Sequence, residues 1–115
     1  MTSAELQDRL QRANDAFKAA HITAANAIED LARAKTNLTA NENACILAGL
    51  EGKNETERKA HLSKLTTNDQ VHLENAETAL RDAQLALTLA RLDDQLARNL
   101  LQLHTHQTGG DDQAN

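Results

Sequence analysis

Few residues in this chain have the type and spacing to do chemistry, and each has to be weighed against an ordinary role in a helix. His104 and His106 form an H-x-H pair near the C-terminus. Zinc needs three or four ligands held in place, and no third ligand at fixed spacing accompanies the pair, so it is expected to be solvated and no metal site is assigned. His21, His61 and His72 are scattered along the chain and read as surface residues.

Cys45 is the only thiol. A nucleophilic cysteine wants a nearby histidine base and a positive environment. Cys45 falls instead on an apolar helical seam, where a small buried hydrophobe is the expected role. The acidic pairs Glu29-Asp30 and Asp93-Asp94 are sequence neighbours. On a helix such neighbours diverge by about 100°, so they do not build a paired-carboxylate site. No catalytic residue is assigned, no cofactor is implied, and an enzyme is the least expected class.

One charged cluster remains. Lys53, Arg58, Lys59 and Lys64 lie in a connector flanked by Gly49 and Gly52, where a helix beginning after Asn54 could hold a phosphate or contact a partner. Glu51, Glu55 and Glu57 are interleaved with them, and Phe17, the only aromatic residue, lies far off in sequence, so no ring is at hand to stack on a base. The plain reading is a mixed-charge solvated turn. The overall charge of −5 argues against a general DNA-coating role, which depends on clustered Lys and Arg.

The elements that carry these residues are read from composition and period. At 115 residues the chain has the length of one domain, with no proline and an apolar content dominated by Ala and Leu. That composition predicts long helices and argues against a thick conventional core. Thr2 with Glu5 has capping-box spacing and opens a first helix over about 3–48. Within it Leu6, Leu10, Ala13, Phe17, Ala20, Ala24, Ala27, Leu31, Ala34, Leu38, Asn41, Cys45 and Ala48 step by fours and threes, a heptad seam. Asn41 on that seam either fixes register or marks where the pairing frays.

Gly49 and Gly52 predict the helix end. Asn54 caps a connector helix over about 54–65, and Thr67 with Gln70 suggests a second capping box opening a last helix over about 68–104. Two long helices with a short helical connector give the fold class: all-α, an antiparallel, coiled-coil-like hairpin assembling into a helical bundle. Residues 1–104 form one helical domain. The polar, Gly-rich residues 105–115 are expected to be a disordered tail.

The last helix carries more leucine than one seam can use. Leu73, Ala76, Leu80, Ala83, Leu87, Ala90, Ala97 and Leu101 make one line, interrupted by Asp94. Leu85, Leu89, Leu92, Leu96, Leu100 and Leu103 make a second line on nearly the opposite side. The first line is expected to pack on the first helix. The second is expected to be an oligomer interface, near both chain termini, since a two-faced helix needs two neighbours.

One stretch also carries a family resemblance. Gly52-Lys53-Asn54-Glu55-Thr56-Glu57-Arg58-Lys59-Ala60-His61-Leu62, followed by the Ala/Leu/Glu-rich LENAETALRDAQ, resembles small helical proteins encoded in phage and prophage genomes. The similar part covers about residues 49–103. The resemblance implies an accessory protein without an assigned reaction, working near replication or recombination proteins, and it carries over no catalytic residue.

Three functional expectations follow. The first is a non-enzymatic structural or interaction protein that self-associates through the leucine-rich helix and binds a protein partner. The second is a phage-type accessory factor contacting nucleic acid through the basic connector. The third is a phage-encoded inhibitor or adaptor whose acidic helical surface meets a basic host protein. A lone cysteine and the lack of a signal-peptide pattern lead to an expectation of a cytoplasmic location, in a bacterial host if the resemblance holds. No apolar run reaches membrane-spanning length, so no membrane partner is expected.

Overall fold

The computed structural model describes residues 1–114, with side chains through residue 107. It is all-α: α1 spans Ser3–Ala48, α2 spans Glu55–Leu65 and α3 spans Thr67–Ala114. α1 packs against α3 as a helical hairpin. No helix among the described residues is long and apolar enough to cross a membrane.

Local chemistry sets the helix ends. The Thr2 hydroxyl accepts from the Glu5 backbone N–H at 3.1 Å, satisfying one of the free amides at the start of α1. α1 stops where Gly49 takes a φ of +98°, a conformation that favours glycine. Gly52 has a φ of +143°, and a Cβ there would lie 2.8 Å from Glu57 Cβ and 2.9 Å from Arg58 N. Only glycine lets the chain fold this tightly onto the start of α2.

α2 opens on Asn54, whose Oδ1 accepts from the Glu57 N–H at 2.9 Å, while the Glu57 carboxylate accepts from the Lys53 N–H at 2.6 Å. The junction with α3 differs from the capping box expected of Thr67. A single residue, Thr66, separates the two helices, and Thr67 is already the first residue of α3. The Thr67 hydroxyl points back, donating to the carbonyls of Ser63 and Lys64 at 3.0 Å each, so it closes α2 instead of opening α3. Thr66 supplies the joint: its hydroxyl donates to Leu62 O at 2.9 Å and accepts from Gln70 Nε2 at 3.0 Å. A buried hydroxyl bonded on both sides has its hydrogen-bonding capacity met, which offsets the cost of its desolvation.

Packing divides the chain into two compact units. One contains residues 1–24 and the chain from Ala83 onward; the other contains residues 25–82. In the first unit Leu6, Ala13, Ala24, Ala83 and Ala97 are buried, and Arg9 Nη2 meets Asp93 Oδ1 at 3.5 Å across the helices. In the second unit Ala27 and Thr66 are buried, and Asn41 Nδ2 donates to Asp69 Oδ2 at 2.8 Å. Asn41 therefore acts as a polar clasp on α3, and α1 stays helical beyond it through Ala48.

Alanine at alternate seam positions lets helix axes approach closely. The larger seam residues, such as Leu10, Phe17, Leu87 and Leu101, then straddle the seam half-buried. Cys45 is also half-buried and free. α3 continues past His104 to Ala114, so the chain is helical where a disordered tail from residue 105 was expected; the chain has no proline to interrupt it. Beyond Gln107 that tail falls outside the residues described with side chains.

A charge-free leucine face on the last helix

Within the first unit, α3 presents two faces of different character. The inward face carries Ala83, Leu87, Ala90, Asp94, Ala97, Leu101 and His104, none of them exposed. On the outward side Leu85, Leu89, Leu92, Leu96 and Leu103 are between 48% and 61% exposed. Leu100 lies at the edge and is half-buried. The register that separates the two lines in the sequence therefore corresponds to a difference in burial.

The residues around the leucines sharpen the contrast. Between Leu85 and Leu103 the outward positions not filled by leucine are Thr88, Gln95, Asn99 and Gln102, all uncharged. Gln95 Nε2 donates to Asn99 Oδ1 at 3.0 Å along the helix. Of the charges in this stretch, Asp93 and Asp94 lie toward the α1 side, while Arg91 is exposed at the edge of the face, about 20° around the helix from Gln102. Asp93 binds Arg9, and Asp94 accepts from Arg98 Nε at 2.9 Å. A solvated helix face usually carries charge every turn or so. Along its leucine line this face of about 27 Å, at roughly 1.5 Å per residue, carries none, and Arg91 stands at its edge.

Asp94 interrupts the inward line. Its side chain is 13% exposed, and Oδ1 is buried without a hydrogen-bond partner among the described residues. It shares with Asn14, Phe17, Lys18, His21, Ile22 and Arg98 an open groove of about 580 Å³. Phe17 and His21 stack there with ring centroids 5.1 Å apart and planes tilted by 45°. His21 is exposed, as expected from the sequence, and still borders this groove. Only the seam register, which sets Phe17 opposite Asp94, could have pointed to it.

The connector residues are described within the second unit. Lys53, Arg58, Lys59 and Lys64 are all exposed. Lys59 Nζ lies 3.3 Å from Glu55 Oε1, one turn away, and Glu57 accepts from the Lys53 backbone N–H. His61 Nδ1 accepts from the Glu51 N–H at 2.9 Å and so holds the loop to α2. Glu55 thus pairs with a cation and Glu57 with a backbone amide, and with exposed Glu51 they dilute any positive surface. A second open groove in this unit is lined by Asp30, Arg33, Ala34, Asn37, Asp69, His72 and Ala76.

No group of three or more His, Cys, Asp or Glu is placed to hold a metal ion among the described residues. The cross-helix pairs Arg9–Asp93 and Asn41–Asp69 were not read from the sequence. Their signal was available only once the helix register was known, since each joins residues far apart in the chain. Compared with protein-family models, with curated proteins and with solved structures, the chain matches none.

Proposed function

We propose that this protein is a non-enzymatic interaction protein that self-associates through the outward leucine face of α3 and, so assembled, binds a protein partner. The observation that carries the reading is the inversion of burial. The buried apolar core of the described chain consists of Leu6 and five alanines, whereas Leu85, Leu89, Leu92, Leu96 and Leu103 stand about half exposed on one uncharged face. Half-exposed leucines leave roughly 100 Å² each, so the row offers ~500 Å² per chain and ~1,000 Å² in a self-pair, the lower bound of a specific interface.

Apolar area of that size is costly to leave in water, and a hairpin with so thin a core has little else to stabilise it. The experiment is sedimentation of the wild-type chain at tens of micromolar. A dimer or higher assembly that dissociates on dilution is expected. A strict monomer at that concentration would rule the reading out.

A further inference from the structure

We infer that the occupant of the leucine face is the same face of a second copy, paired parallel and in register, so that Asn99 meets Asn99 of the second copy. The inference rests on the self-association reading and adds the partner's identity, direction and register. Starting from Leu85, the outward residues step by four and three through Leu89, Leu92, Leu96, Asn99 and Leu103. That is a second heptad seam, with one polar member near its end.

Three pairings bring leucine onto leucine, and charge distinguishes them. An antiparallel pair that sets Leu85 opposite Leu103 and Leu92 opposite Leu96 covers the row. It also sets Asn99 against Leu89, leaving an amide facing an apolar side chain, and it brings the two Asp93 side chains together across the axis. Asp93 is 55% exposed despite its contact with Arg9, so its charge would be felt there. A shifted antiparallel pair, with Leu85 opposite Leu96 and Leu89 opposite Leu92, leaves Leu103 against Thr78 and Asn99 against Asp82.

The parallel pair avoids these conflicts. Each leucine meets its own copy, Asp93 comes beside Thr88 of the second copy, and Asn99 finds an amide that both donates and accepts. A single paired asparagine in an otherwise leucine seam selects one register, because any slip leaves it unpaired. An uncharged face also suits a second copy better than a charged partner: identical faces repel when they carry net charge, and an oppositely charged partner would find nothing here to pair with.

Disulfide trapping tests this directly. Cys45→Ser removes the native thiol, and Asn99→Cys or Leu103→Cys is added in that background, with Asn26→Cys on α1 as a control for random collision. Each reduced variant is first checked for helicity by circular dichroism and for mass by sedimentation. On mild oxidation, Asn99→Cys and Leu103→Cys are each expected to give a covalent dimer at least tenfold faster than Asn26→Cys. In a mixture of Asn99→Cys with Leu89→Cys, a mixed 89–99 link in place of the 99–99 link would establish antiparallel pairing and overturn the inference. Dimers by sedimentation with no enhanced link at 99 or 103 would overturn it as well, by moving the interface to another face. A monomeric reduced wild type would remove the self-association reading itself.

Discussion

Replacing Leu89 and Leu96 by glutamate is the sharpest perturbation of the leucine face. Both side chains lie on the side of α3 away from α1, 58% and 48% exposed, so in the isolated chain each substitution changes mainly solvated surface. Substitutions of that kind usually alter stability by within about 0.5 kcal/mol, and glutamate is a good helix former. In the assembly the same positions are central. Full burial of a leucine contributes about 1.5–3 kcal/mol, so burying the remaining half contributes about 1 kcal/mol each. With two positions in each of two copies, the variant loses about 4 kcal/mol of association, close to a thousandfold in Kd, before repulsion among the four new carboxylates is added. Sedimentation equilibrium with circular dichroism on the same samples reads both effects. Dissociation to monomers with unchanged helicity is the expected result. Retention of the wild-type assembly would refute the placement of the interface, and loss of helicity in both long helices would show that the row belongs to the hairpin's own packing.

Four further outcomes follow from the same geometry. Asp94→Leu removes a buried carboxylate oxygen without a partner and restores the apolar seam; stability is expected to rise by about 1–3 kcal/mol, read as a higher Tm, and a lower Tm would contradict it. Ala97→Leu should do the reverse, since Ala97 is 1% exposed where the helices approach closely; overpacking should cost about 1–3 kcal/mol in a denaturant melt. Gly52→Ala places a methyl against Glu57 and Arg58 at a positive φ, and a loss of about 1–3 kcal/mol is expected, with earlier amide exchange at the start of α2. A labelled DNA duplex is expected not to bind at low salt, because Glu51, Glu55 and Glu57 are interleaved with the connector cations and Lys59 is already paired with Glu55; anisotropy that falls steeply with salt and vanishes in Lys59→Glu would favour the nucleic-acid reading.

The helical hairpin was legible because its signals are local and periodic. Thr2, Gly49 and Asn54 announce helix ends through their own side chains or lack of one, and the four-three spacing from Leu6 to Leu38 needs no knowledge of the partner helix. The two apolar lines of α3 were separable for the same reason, since side-chain direction on a helix follows from residue number alone. What failed was information that depends on two elements at once. Thr67 matches a capping box in isolation, but one residue of separation between α2 and α3 turns its hydroxyl back onto Ser63 and Lys64. Asn41 was visible as an oddity on the seam, while its partner Asp69 depended on the hairpin register. The groove around Phe17, His21 and Asp94 likewise exists only between helices.

The alanine-rich seam has a thermodynamic consequence beyond close approach. Alanine surrenders little area on burial, so the folding free energy available within one chain is small, and much of what remains would come from leucine area covered on association. Folding and pairing then become linked equilibria. The midpoint of thermal unfolding should climb with protein concentration, while well below that midpoint the dissociated hairpin keeps its helices. Abundance would then set how much of the protein is assembled, and with it how much is competent to meet a partner.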